Sequence, residues 1–319
     1  MTMQNALEEF ESWIERHRLH PYEDELKQAR KFHNILKKTE AEDYTSKGNT
    51  RIGGLPDLPP DIDYPVNEDG YYNLLFQLNL SEIKVDKSPL PDSGILYLFQ
   101  GDAQSGDYQL YFYDGPLENL NRKEPPEGMV NLNEEDNENP FKGVKATFGV
   151  MPYLDHGSEI TEKIEALNPT AFDEICFPSR KYHSHILGDT VEGDSTGPYR
   201  LLKGFPSLYY DVLYDELGDG PEYQEQYNRL IAKAEKNIMG NDEALKAYSK
   251  RHLSELKRYH QEREIHLQSK DEALCLFGIE SLDECEMCWN DAGFVYLFML
   301  RSDLENRDFS NFHAFIWSS

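Results

Sequence analysis

Four residues have the types and spacing that could hold a metal. His183 and His185, in "YHSHIL", share a face if that segment is extended, and Cys285 and Cys288, in "CEMC", have the spacing of half a zinc site. Imidazole and thiolate are zinc's usual ligands, so His2Cys2 coordination is sterically conceivable. A single CxxC is a weak signal, however, and a chance pair explains it equally well. Without a βαβ pattern around it, a thioredoxin role is weaker still. No metal and no cofactor are expected.

Catalytic patterns are missing. There is no Walker loop, no GxSxG elbow and no GxGxxG. His252 and His260 are too far apart in sequence to share a helix face as ligands. Acidic residues are so abundant that choosing a general acid and base among them would be arbitrary. No catalytic residue is assigned.

The elements that would position any site alternate in period. Leu7, Phe10, Ile14 and His17 fall at helical spacing. Pro21 is placed to open a second helix, with Tyr22, Leu26, Ala29, His33 and Leu36 as its stripe. "KKTEAEDYTSKGN" would end it. Residues 1–45 are thus predicted to be helices packed on a main domain spanning 46–319. From Arg51 the period shortens: Leu74, Phe76, Leu78 and Leu80 alternate as in a strand. "PLPDSGILYLFQ", "DYQLYFYD" and "KATFGVMPYL" supply further strands. Residues 116–142 read as an acidic, solvated loop, and 158–175 as short helix or loop.

The strand unit occurs twice. "LLFQLNLS" matches "CLFGIES", and "PDSGILYLF" matches "NDAGFVYLF". Phe76 then meets Phe277, Leu78 meets Ile279, Gly94 meets Gly293, and Tyr97 meets Tyr296. The third strands, "YQLYFYD" and "FSNFHAFIW", follow at comparable distances. The kinked lead-in "RIGGLPDLPP" at 51–60 has its counterpart in "HSHILGD", with Leu187-Gly188 standing for Gly54 and its neighbours. Two repeats, about 51–115 and 183–319, make one duplicated antiparallel β-unit, a mainly β or α+β, roll-like fold. The second repeat carries a charged helical insertion at about 221–270, capped at Asn241-Asp242. Its stripe, Leu245, Tyr248, His252, Leu256 and Tyr259, suits a helical hairpin laid on the sheets, with a partner-binding helix as the sharper alternative.

A cleft between pseudo-symmetric repeats often holds a ligand. Gln77, His185, Trp289 and Asp291 are the residues such a small-molecule site would use, although Trp289 in this setting is more often structural. A hydrolase would further need a nucleophile or acid beside His185.

The chain's net charge is −27, from 32 Lys and Arg against 59 Asp and Glu. Phosphate neutralisation needs clustered cations, so nucleic acid and anionic membrane surfaces are excluded as partners. A mean hydropathy of −0.71 reflects the charged stretches, not a missing core. No apolar run approaches the ~20 residues of a membrane span. The N-terminus has no signal-peptide pattern. Four cysteines in 319 residues make no disulfide framework. A cytoplasmic setting is expected. The acidic surface would keep the protein soluble and attract a basic protein partner, as an inhibitor or immunity-like factor does.

"GGLPDLPPDIDYP", "LLFQLNL", "LPDSGILYLF" and "WNDAGFVYLF…DLENRDFSNFHAFIW" resemble the bacterial YwqG-like family, a domain of unknown function, from about residue 45 onward. The resemblance implies a mainly β, roll-like fold with a duplicated unit, and no established activity. This chain has Asn290 where that family tends to have glycine. It has Gly278 where the family tends to repeat the glutamine of Gln77.

Overall fold

A computed structural model describes residues 2–83, 88–101, 107–132, 139–154, 158–176, 184–188, 217, 220–289 and 293–317. Helix α1 (Met3–Arg16) starts at a Thr2–Asn5 capping box and buries Ala6, Phe10, Trp13 and Ile14, one face at helical spacing. Alone it would be marginal in water. Burying each large apolar side chain supplies about 2 kcal/mol.

The second predicted helix is corrected. After a 3-10 turn at Pro21, α2 (Glu23–Ala29) stops at Arg30, whose backbone is already extended. Residues Lys31–Ala41 form strand β1 in the middle of the sheet. His33 and Leu36 therefore continue no helical stripe, and this segment belongs to the sheet, not to a helical appendage. Arg30 holds the junction, its guanidinium lying 5.1 Å from the ring centres of both Phe10 and Phe32. The strand wins because its antiparallel ladder with β8 (Val144–Tyr153) is long and starts at Lys31–Tyr153.

The remaining strands are β2 (Arg51–Ile52), β3 (Asp57–Leu58), β4 (Asn73–Asn79), β5 (Ile95–Gln100), β6 (Tyr108–Tyr113), β7 (Asn121–Arg122), β9 (Ser184–Gly188), β10 (Ala273–Glu280), β11 (Phe294–Leu300) and β12 (Phe312–Trp317). Ten of the twelve form one sheet in the order β12-β11-β10-β9-β1-β8-β2-β4-β5-β6, and β3 pairs with β7 separately. The order is symmetric about β1–β8. On one side β2, β4, β5 and β6 follow one another outward; on the other, β9, β10, β11 and β12 do the same.

The registers repeat as well. Ile52 faces Phe76 as Ile186 faces Phe277, and Gln77 faces Tyr97 as Gly278 faces Tyr296. Each repeat has a bulge at the same place, before Phe76 and before Phe277. The extra residues, Leu75 and Leu276, are both buried. A bulge bends its strand and increases the local twist, so two matched bulges curl the sheet from both ends. The result is a roll. Phe76 and Phe277 belong to strands five positions apart, roughly 24 Å in a flat sheet. Their ring centroids are 4.3 Å apart.

Inside the roll one apolar core runs from Ile52 and Leu78 through Ile186 to Leu297 and Met299. Outside it, Leu58, Tyr72 and Leu120 cover Leu74, Tyr97 and Phe99 of the first repeat. Helices α1, α3 (Glu159–Leu167) and α4 (Pro169–Cys176) form a further cluster with Leu154 at the end of β8. The predicted insertion is a hairpin of α5 (Tyr223–Ile238) and α6 (Glu243–Glu272). Among the described residues its apolar cluster contains Leu217, Tyr223, Leu230, Leu256 and Tyr259 and no sheet residue. Among the described residues the hairpin packs on itself through this cluster. Helix α7 (Arg301–Glu305) links β11 to β12.

Candidate functional site

The kinked segment at 51–60 turns the chain back over its own strand. Gly53 and Gly54 have φ of +64° and +76°, and a Cβ on Gly54 would lie 2.4 Å from the Tyr44 hydroxyl. This reversal sets Asp57 above the outer face of β2 and β4, where Arg51 and Gln77 are paired. The Asp57 carboxylate meets the Arg51 guanidinium directly, lies 2.9 Å from Arg122 Nη2 and accepts from Gly48 N–H at 2.8 Å. Its N–H donates to Gln77 Oε1 at 2.7 Å, and the Tyr97 hydroxyl donates to its carbonyl at 2.6 Å. Arg51 also donates to Leu55 O (2.7 Å) and Asn49 Oδ1 (2.9 Å), and its Nε stands 3.7 Å from Glu42.

Arg51, Asp57 and Gln77 are wholly enclosed. Two guanidiniums and two carboxylates balance, and each carboxylate accepts at least two further N–H bonds or ion pairs, the condition under which buried charge is tolerated. Burial pushes the Tyr97 phenol well above its ordinary pKa. No substrate reaches these groups, so the hub is a latch between kink and sheet.

The residues proposed from sequence are therefore distributed. Gln77 lies in the latch, its amide N–H donating to Asn49 O at 2.9 Å. Trp289 is in the main core, edge-on to Phe141 at 5.9 Å, with its Nε1–H buried and, among the described residues, without a hydrogen-bond partner. His185 lies in β9, in register with Ile35 and Gly278, four strand positions from Gln77 in the sheet order. Asp291 and His183 lie outside the described residues. Cys285 is buried with its thiol 3.7 Å from Ile52 O, and burial pushes its pKa up to about 12, while Cys288 is exposed. Among the described residues no group of three His, Cys, Asp or Glu could hold a metal.

Among the described residues a cleft of about 350 Å³ opens between α1, β8 and α4. Glu9, Trp13 and Arg16 of α1 form one wall, Met151 and Pro152 of β8 the floor, and Glu174 with Ile175 of α4 the second wall. The Trp13 indole N–H donates to Ala171 O at 3.2 Å, tying α1 to α4. Glu174 bonds His17 Nε2 at 3.0 Å and pairs with Arg16 at 3.1 Å. The His17 hydrogen bond, with help from Arg16, holds the Glu174 carboxyl below its usual range. The lining offers an apolar base and two carboxylates to one guanidinium. Among the described residues that line it there is no hydroxyl, thiol or amine side chain.

A family model described as "Domain of unknown function (DUF1963)" matches residues 50–318. The chain belongs to that family. A search of curated proteins found no match. The DUF1963 match takes in both repeats and the α4 wall of the cleft. Helix α1 precedes it, so this chain adds the opposite wall from outside the family domain.

Sequence reasoning missed Arg51, Asp57, Glu42 and Arg122. A charged residue on each side of Gly53-Gly54, at the start of an apolar strand, was the available signal. Nothing local announced Arg122, which arrives from the acidic loop through the β3–β7 pair.

One further carboxyl is perturbed. Burial at the end of β10 raises Glu280 from 4.5 to about 7, against the opposing charge of Lys38. A raised carboxyl pKa favours the protonated folded state. The penalty for ionisation is absent below pH ~4.5, grows as pH rises and is complete above pH ~7. Because the site is partly solvated, we expect Glu280→Gln to gain no more than about 1 kcal/mol at pH 8 and nothing at pH 4.5. Urea unfolding at the two pH values checks this; an equal change at both would contradict it.

Proposed function

We propose that this DUF1963 protein is a non-catalytic interaction module that receives a basic segment of a protein partner, with the cleft between α1, β8 and α4 as its anchor point. The observation that carries the reading is the distribution of charge. Residues 222–272 hold ten Lys and Arg and ten Asp and Glu, so the rest of the chain has 22 basic against 49 acidic residues. The whole excess of −27 thus lies outside the helical hairpin. A partner's lysine or arginine would lay its aliphatic stem along Met151 and Ile175 and bring its cation to Glu9, since Glu174 is already held by Arg16 and His17. An inhibitor or immunity-like role in a bacterial cytoplasm, and kinship within the YwqG-like branch, belong to the same proposal.

A fluorescein-labelled, Lys- and Arg-rich 15-residue peptide provides a test. Its anisotropy-derived affinity is expected to fall at least tenfold between 50 and 500 mM NaCl. A salt-independent affinity, or none at 50 mM, would contradict the proposal. A small-molecule site between the repeats has less support, because the Phe76 and Phe277 rings meet where that cavity would lie.

A further inference from the structure

The helical hairpin has a surface unlike the rest of the molecule. Met239, Leu245 and Tyr248 are 83%, 41% and 56% exposed, three of the chain's large exposed apolar residues within ten positions. They sit where α5 ends and α6 begins, at the hairpin's tip. The inner seam of α6 explains why they are left out. Ser249, His252, Leu256 and Tyr259 are the buried positions, at three- and four-residue spacing. Tyr248 lies beside that seam, stacked on His252 at 5.8 Å, and Leu245 lies where α5 runs out.

Charge distinguishes the same end. Residues 229–251 hold six Lys and Arg against Glu235, Asp242 and Glu243, a net of +3 in a chain of −27. The remainder therefore carries −30. The two acids at the turn are engaged locally: Asp242 Oδ1 accepts from Leu245 N–H at 3.0 Å, and Glu243 pairs with Lys246 at 2.7 Å. An apolar cluster inside a cationic end suits a surface that is acidic with apolar gaps.

We propose that the hairpin tip docks on the acidic body of a second copy of this chain, a head-to-tail contact. Charge complementarity selects the occupant: +3 on the tip meets the −27 that the chain carries outside the hairpin. Helix α5, with 16 residues, spans about 24 Å. Three exposed side chains cannot cover the ~800 Å² per partner of a stable interface, so the association is weak and concentration-dependent. Because donor and acceptor surfaces differ, the contact is heterologous and can continue beyond a dimer. The inference rests on the same acidic receptor surface as the proposed basic partner, and the tip variants leave that surface unchanged.

Sedimentation velocity of the full chain from 1 to 500 µM tests it. At 150 mM NaCl the weight-average mass is expected to rise with concentration, and 500 mM NaCl should weaken association at least tenfold. Leu245→Glu/Tyr248→Glu, at exposed positions, should remain monomeric with unchanged circular dichroism, and Met239→Glu should be intermediate. Fluorescently labelled Leu245→Glu/Tyr248→Glu should still enter wild-type oligomers, because its body remains a receptor. A wild type monomeric at 500 µM, association that strengthens with salt, or a variant that associates like the wild type would overturn the proposal. So would exclusion of the labelled variant, which would mean that tips meet tips. Binding of wild type to dioleoylphosphatidylserine vesicles or to a 20-mer duplex DNA, without self-association, would likewise overturn it.

Discussion

Replacing Asp57 by alanine is expected to lower the unfolding free energy by about 3–5 kcal/mol. The carboxylate is enclosed and pairs with two guanidiniums, one of which, Arg51, has no exposed surface. Removing it strands a buried cation, leaves Gly48 N–H without its acceptor and frees the kink that Gly53 and Gly54 produce. The loss is a large fraction of the 5–15 kcal/mol that holds a typical protein together. Equilibrium urea unfolding measures it. Asp57→Asn, which keeps an acceptor for Gly48, should cost less. A loss below about 1 kcal/mol in Asp57→Ala would mean that the latch contributes little.

The second large effect concerns the contact between the repeats. Phe277→Ala is expected to cost about 3–5 kcal/mol, as is Phe76→Ala. Both rings are buried and belong to the one core inside the roll. Each single change opens a cavity where the curled halves of the sheet meet. The double variant should cost less than the sum by roughly 0.5–3 kcal/mol, because neighbours in contact share the same loss. Strict additivity would show that the rings do not hold the halves together.

The duplicated architecture was legible in the sequence because strands report their faces residue by residue. Phe76 and Leu78 alternate with Gln77 as Phe277 and Ile279 alternate with Gly278, and the registers of β4–β5 and β10–β11 follow that alignment. Strand β1 was not legible. In "KFHNILKKTEA" the apolar pair Ile35-Leu36 is consecutive and the far half is charged, so no period-2 signal exists. Both residues are nevertheless buried, because the central strand is covered by the roll on one face and approached by the helices on the other. Tertiary packing overrode a local pattern that favoured a helix.

The latch was half legible. Gly53-Gly54 and the prolines marked a corner, but the partners of Asp57 come from residues 77, 97 and 122 as well as from its own segment. Gln77 illustrates the limit: its type suggested ligand binding, while its position opposite Arg51 directs both ends of its amide to the chain. The cleft was not visible at all, since Glu9, Trp13 and Arg16 acquire meaning only against Glu174 and Ile175, far along the chain.

The central claim is that the acidic body recognises a basic segment at one place instead of by charge alone. Glu9→Lys is the most direct probe, because Glu9 lines the cleft and changes the total charge only from −27 to −25. The affinity of the fluorescein-labelled basic peptide at 150 mM NaCl should drop at least tenfold, with the thermal midpoint unchanged. An equal affinity in the variant and the wild type would contradict the account, because binding would then follow net charge and the cleft would hold nothing.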